Sequence, residues 1–371
     1  MIALLGRPDT PTDGVDDYCN FLGQALARRG FSLTRVHVAW NREGWNCALR
    51  RLWRESADWR GEWVLLQYTA LSWSGRGFPW GALVVAAILH SRGARCGVVF
   101  HEYAGYGGAR LRERVRSACQ AWVVRSLYRK SARCIFTVPL AAVAWLPKDD
   151  EKTAFIPIGA NLPEGPDAPS ELRGRERLAS PEREKRIIVF GVTGFPAAPR
   201  EVADIAEIAR AAKTKIAHLR LVVLGRGASE VQGEIAKALD GSGVELEVRG
   251  VLPAEEISRE FAAADVLLFV RGPITLQRGS AIAGIACELP IAGYGSADPV
   301  GPLAEAGIEW APWHDPQALA QALVRVLTDP DRWMDLHERN LRVHEKYFSW
   351  DRIAERYLVV LANPCDGPVE H

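Results

Sequence analysis

Two Rossmann-like, doubly wound α/β domains are predicted by three observations. Short apolar runs alternate with helical segments along the whole chain, the pattern that builds parallel sheets flanked by helices. Near the middle, residues 159–186 are rich in proline, glycine and charge without apolar periodicity, which marks a linker. The chain's 371 residues also suit two domains better than one.

The first series opens with the apolar strand Ile2–Leu5 and a loop over residues 6–14 (GRPDTPTDG). Val15–Arg29 then reads as a helix, closed by Gly30. Apolar runs predict strands at Ser32–Val38, Trp63–Tyr68, Arg95–Phe100, Arg133–Val138 and Ala154–Ile158, with helices between them. The second series begins at Ile187, with strands at Ile187–Phe190, Leu219–Leu224, Val244–Val248, Val266–Val270 and Pro290–Ala292. Its helices are expected near Glu201–Lys213, Glu230–Leu239, Ala254–Ala263 and Ser280–Ala286. Two such domains on a linker are expected to leave a cleft between them. Ligands of such sheets bind outside the carboxyl ends of the strands, so the loops there carry the chemistry.

Composition narrows the class. The chain is 48% apolar and 25% charged, the balance of a soluble globular protein able to bury real cores. Its longest apolar run, Ala82 to Leu89, is too short to cross a bilayer. The start, MIALLGRPD, lacks the basic region of a signal peptide. Seven cysteines are scattered and never spaced C-x-x-C, which predicts reduced thiols in a cytosolic protein and argues against zinc.

The formal net charge is +1, but residues 1–160 hold 22 Arg and Lys against 13 Asp and Glu. A basic half predicts anions nearby, either substrate phosphates or an anionic membrane surface. No nucleic-acid-binding signature accompanies it. The segment Ala109–Arg133 carries eight of these cations against one Glu. Leu111, Val115, Ala118, Trp122 and Ser126 recur there at three-to-four spacing, which predicts a helix with a core face and a cationic face. That face is either simply solvated or docks peripherally on anionic lipid. Seven of the 13 tryptophans, from Trp40 to Trp80, crowd one region. Packing explains most of them, while aromatic faces also suit sugar rings and bilayer interfaces.

Several segments in order carry a resemblance. They are Asp13-Gly14 before the first helix, His101-Glu102 closing the fourth strand (VVFHEY), and FIPIGANL at 155–162. In the second half they are LVVLGRG at 221–227, VRGVLPAEEI at 248–257, AADVLLFV at 263–270 and RGSAIAGIACELPIAGY at 278–294. FSWDRIAERYLVVL follows at 348–361. In these segments the chain resembles the family-4 glycosyltransferases of the GT-B fold over nearly its whole length. The resemblance implies an acceptor domain at 1–160, joined by a C-terminal helix within 348–371, a linker at 161–186, and a donor domain at 187–347. It implies transfer of a hexose from a nucleoside-diphosphate sugar to a hydroxyl with retention, without a metal or a further cofactor. Lipid-linked, polysaccharide and small-metabolite acceptors all fit.

Each site residue also has its own physical reading. Arg278-Gly279-Ser280 precedes a helix, where free backbone N–H groups, a hydroxyl and a guanidinium make an anion site; a plain serine cap with a solvated arginine is the simpler alternative. The resemblance puts the donor diphosphate there. It puts His101 near the transferred sugar, although a histidine at a sheet rim can equally be structural. Glu102 is either an acceptor contact or a surface carboxylate. Gly14, Gly225 and Gly227 either admit a substrate or only permit turns. Val251 and Leu252 follow Gly250 in the loop where the family holds the base through backbone atoms, which leaves the base unreadable.

The departures from the family pattern are specific. Two glutamates with seven residues between them are usual in the family, and the matching positions hold Thr275 and Ala283. Neither is a carboxylate, and Ala283 cannot bond a ribose through its side chain. The family's Arg after the second domain's first strand falls near Thr193, leaving Arg200 as the candidate cation. A nucleotide-sugar epimerase and a non-catalytic GT-B binding protein therefore stand as alternatives. Asp329-Pro330-Asp331 has the D-x-D form but precedes a helix, so capping explains it better. His337 and His344 show no carboxylate or cysteine partner in sequence that would complete a metal site.

Overall fold

The computed structural model describes residues 1–8, 13–108, 110–162, 183–194, 196–295, 299 and 301–362. Contacts divide the chain into two compact units. One is Met1–Ile158 together with the chain from Trp350 onward, and the other is Gly159–Ser349.

The first unit is built from β1 Ile2–Leu5, α1 Gly14–Arg28, β2 Thr34–His37, α2 Trp40–Glu55, β3 Trp63–Tyr68, α3 Trp80–Ser91, β4 Arg95–Phe100, α4 Leu111–Lys130, β5 Arg133–Phe136 and β6 Thr153–Phe155. All strand pairs are parallel, in the order β2-β1-β3-β4-β5-β6. The central strands are buried almost throughout, which is why they read as continuous apolar runs rather than as alternation.

The second unit contains β7 Lys185–Phe190, α5 Ala198–Lys213, β8 Leu219–Leu224, α6 Gln232–Leu239, β9 Glu245–Gly250, α7 Ala254–Ala263, β10 Val266–Phe269 and α8 Gly279–Ala286. It continues with β11 Ile291–Gly295, α9 Pro302–Glu305, β12 Ile308–Pro312, α10 Pro316–Thr328 and α11 Pro330–Val343. The sheet is again all parallel, ordered β12-β11-β10-β7-β8-β9. The order reverses at β7, whose neighbours are β8 and β10. The loops leaving β7 and β10 therefore flank the crevice where doubly wound sheets bind ligands.

The final helix, α12 Trp350–Ala362, belongs to the first unit. Tyr357 Oη lies 2.8 Å from Tyr18 Oη of α1, and Trp350 stacks on Phe21 with ring centroids 5.6 Å apart. Ile353, Ala354 and Leu361 complete the apolar face buried against β1 and α1.

The structure corrects the sequence reading in several places. Strand β7 starts at Lys185, inside the stretch read as linker; residues 163–182 of that stretch lie outside the described residues, as do Ala109, Cys365 and residues 363–371. Strand β12 and helices α9 and α10 were not foreseen. Ile308–Pro312 (IEWAP) has no apolar run, because as an edge strand it carries Glu309 and ends in proline. The expected core face of the 109–133 helix is reversed. Leu111, Val115, Ala118 and Trp122 face solvent, while Cys119, Val123, Val124 and Leu127 are buried with Ser126. Among the described residues, no helix is long and apolar enough to cross a membrane.

Candidate functional site

The second unit's loops interlock through their backbones at the carboxyl edge of the sheet. Gly191, just past β7, donates to Leu224 O at 2.7 Å, and Val192 donates to Arg226 O at 2.9 Å. Gly225 in turn donates to Gly250 O at 2.6 Å. Gly225 and Gly227 have φ of +89° and +77°. A Cβ at Gly227 would lie 2.2 Å from Val192 O, and one at Gly225 would lie 2.9 Å from the Phe190 ring. Turn geometry and close packing thus require both glycines. Gly250 also has positive φ (+60°), and exposed Val251 and half-buried Leu252 follow it.

Arg271, two residues beyond β10, sits on this interlocked floor. Its Nε is 3.3 Å from Thr193 Oγ1, and its Nη1 is 2.9 Å from where a Cβ on Gly191 would stand. Burial and then the positive charge of Arg278 push its pKa down, Glu201 opposes that, and Arg226 adds to it. Arg271 remains a cation at neutral pH. Buried Glu201 accepts from Thr193 N at 2.7 Å and supplies the nearby negative charge. Three guanidiniums, two from the loop between β10 and α8 and one from the loop after β8, therefore share one neighbourhood, an arrangement that favours an anion.

Helix α8 adds its N-terminus. Arg278 is the N-cap, with φ −89° and ψ 85°, and no side chain caps the helix. Its backbone N–H donates to Thr275 O at 3.0 Å, closing the turn ahead of the helix. The first-turn N–H groups at Gly279 and Ser280 point the helix dipole's positive end outward. Ser280 Oγ is buried without a hydrogen-bond partner among the described residues. Thr275 is exposed, whereas Ala283 is buried inside the unit.

Arg200 is placed differently from its sequence role. Its guanidinium lies 4.4 Å from the Trp313 ring centroid, and Nη2 is 3.7 Å from Glu201 Oε1. The cation beside Thr193 is Arg271, which the sequence reading passed over. Its position directly after an apolar strand (LLFVRG) was the available signal.

In the first unit, His101 follows β4. Its Nε2 is 2.9 Å from Gln67 Oε1 on β3, and its ring meets Tyr18 edge-on at 5.1 Å. Gln67 Nε2 donates to Leu65 O, so Oε1 faces the histidine. This assigns the proton to His101 Nε2 and leaves Nδ1 as the acceptor nitrogen. Burial pushes the His101 pKa down to about 4, with Asp13 opposing; the ring is neutral at pH 7. Asp13 is the N-cap of α1, accepting from Val15 N and Asp16 N, and Gly14 is the first residue of that helix.

Glu102, either an acceptor contact or a surface carboxylate by sequence, uses each of its oxygens to brace a loop. Oε2 accepts from Ala70 N at 2.7 Å and Oε1 from Tyr106 Oη. Asp329 caps α11 by accepting from Arg332 N, as capping required. His337 does have a carboxylate neighbour, which its sequence spacing did not reveal. Its Nδ1 meets Glu288 O at 2.8 Å and its Nε2 lies 3.6 Å from Glu288 Oε2. Among the described residues, no group of three or more His, Cys, Asp or Glu could hold a metal ion.

No protein-family model and no curated protein sequence matches the chain, but solved structures do. Sucrose-phosphate synthase from Thermosynechococcus elongatus aligns with a TM-score of 0.64 at 20% identity, covering 97% of this chain and 98% of that one. HepE from Anabaena in complex with UDP and glucose gives 0.65 at 13% identity, over 98% and 99%. WaaG, a glycosyltransferase involved in lipopolysaccharide biosynthesis, gives 0.57 at 13%, over 98% and 100%. With both parallel sheets in the same whole-chain alignment, the fold of this chain is that of the GT-B glycosyltransferases.

Proposed function

We propose that the chain is a retaining glycosyltransferase that moves a hexose from a nucleoside-diphosphate sugar to a hydroxyl acceptor. The observation that carries this reading is the convergence of Arg271, Arg278 and Arg226 on the crevice beside β7 and β10. Glu201 offsets one of these positive charges, and a diphosphate would supply further negative charge to the group. The structurally similar HepE was solved in complex with UDP and glucose, a diphosphate and a sugar of the proposed class.

When the bond to the sugar breaks, negative charge grows on the leaving diphosphate. Arg271, Arg278 and the backbone N–H groups of Gly279 and Ser280 would stabilise it without reorganising. His101, neutral at pH 7, would serve as a hydrogen-bonding partner for a sugar hydroxyl rather than as a charge. Lipid-linked and polysaccharide acceptors both fit this reading.

One observation favours a second reading. Exposed Thr275 and buried Ala283 supply no carboxylate at the positions where the resemblance places glutamates, which suits a non-catalytic nucleotide-free binding protein. Thermal unfolding against UDP, GDP, ADP, TDP and CDP separates the two. A ligand at about a hundred times its Kd adds ~2.7 kcal/mol, visible as a shift of a few degrees. A shift with one nucleotide supports the transferase and names the base. An unmoved melting curve across the panel sinks it.

A further inference from the structure

We propose that the face formed by α3 and α4 in the first unit docks on an anionic bilayer surface. The inference stands apart from the donor chemistry, because none of its residues belongs to the second unit. On α4, Leu111, Val115 and Trp122 are 77%, 53% and 50% exposed. These positions follow helical periodicity, so they form one stripe along the outer side. On α3, Trp80 and Val84 are 50% and 45% exposed, and the helix contains no Asp, Glu, Lys or Arg. The two helices present one continuous patch, joined where the Trp80 and Trp122 rings meet at 5.1 Å. Outward-facing apolar side chains in this number call for a partner.

Charge identifies the partner. At 100° per residue, Arg112 and Lys130 flank one side of the α4 stripe, and Arg114 and Arg125 flank the other. None of these four cations meets a carboxylate among the described residues. An apolar stripe between two basic margins is the pattern of a helix lying in a membrane interface. Tryptophan favours that depth, with its ring at the level of the headgroups. A second copy of the same face would bring the basic margins against each other. A soluble polyanion would meet the arginines but leave the apolar stripe in water.

Flotation of the full chain with vesicles tests the proposal, comparing phosphatidylcholine alone with phosphatidylcholine plus phosphatidylglycerol. The expected result is flotation with the mixed vesicles, weakened by salt, and little with the neutral ones. Replacing Arg112, Arg114 and Arg125 by Gln should lower the partition coefficient roughly a hundredfold, at about fivefold per charge near the surface. Trp80→Ser with Trp122→Ser should reduce flotation at every salt concentration. Both sets are solvent-facing, so an unchanged melting temperature shows that the variants remain folded. Equal flotation with neutral vesicles, no flotation of the wild-type chain, or variants that float like wild type would each overturn it. So would a dimer in sedimentation that Trp122→Ser dissolves, which would assign the face to a second copy.

Discussion

Arg271 Nε lies 3.3 Å from Thr193 Oγ1, a hydrogen bond that ties the loop after β10 to the loop after β7 where the second sheet's order reverses. One residue thus both spans the crevice and carries its positive charge. Losing a preorganised donor to developing negative charge typically costs about 2.7–4 kcal/mol in the transition state. Arg271→Ala and Arg278→Ala are each expected to lower turnover on the order of a hundredfold or more. The assay uses the donor whose nucleotide shifts the melting curve. Near-wild-type kcat in either folded variant would remove that residue from the diphosphate site.

Arg200 serves to separate the two candidate cations. Its guanidinium over Trp313 should contribute about 0.5–1 kcal/mol of stability, with little direct effect on a bound diphosphate. Arg200→Ala is expected to lower the urea midpoint while reducing kcat far less than Arg271→Ala. If the two variants lose turnover equally, Arg200 belongs in the site after all.

His101 makes a pH prediction whose sign follows from burial. Its folded pKa is pushed down to about 4, whereas an unfolded histidine titrates near ~6.5. Between those values the unfolded chain binds the extra proton and the folded chain does not. The contribution of a neutral His101 is therefore fully present above about pH 6.5 and is lost as the pH falls through about 4. His101→Asn should flatten this part of the stability curve relative to wild type while leaving other titrations in place. Urea midpoints measured from pH 7 to pH 4 check it, and parallel curves for the two proteins would contradict the depressed pKa.

Much of the fold was legible because parallel strands buried on both faces must be apolar throughout. Trp63–Tyr68, Arg95–Phe100 and Leu219–Leu224 were bounded correctly for that reason. Ile308–Pro312 was invisible because an edge strand can hold a charge, and Glu309 is paired there with Arg325 and Arg332. Periodicity found the apolar stripe of α4 but could not say which way it faced. An inward stripe and an outward one have the same spacing, and only packing against α3 tells them apart. The anion site was half legible. Arg278-Gly279-Ser280 announces a helix N-terminus locally, whereas the partnership of Arg271 with Thr193 joins positions 78 residues apart. No local pattern encodes that pairing.

Two glycines in the second unit give a controlled comparison of packing against chain entropy. At Gly227, φ is +77° and a Cβ would stand 2.2 Å from Val192 O. That carbonyl cannot readily retreat, because Val192 N is held by Arg226 O at 2.9 Å. Gly227→Ala therefore combines left-handed strain, about 1–2 kcal/mol, with overpacking of about 1–3 kcal/mol. It should also disturb the floor on which Arg271 rests, so nucleotide-induced stabilisation should fall along with the urea midpoint. Gly233 lies in α6, where a Cβ meets nothing within 4 Å. Gly233→Ala should instead raise stability by about 0.5–1 kcal/mol, through better helix propensity and a less flexible unfolded chain, with nucleotide response unchanged. Opposite shifts from the same chemical change are the expected result. Shifts of the same sign would mean that the Gly227 loop can move aside, and the interlocked floor would then be no constraint on the site.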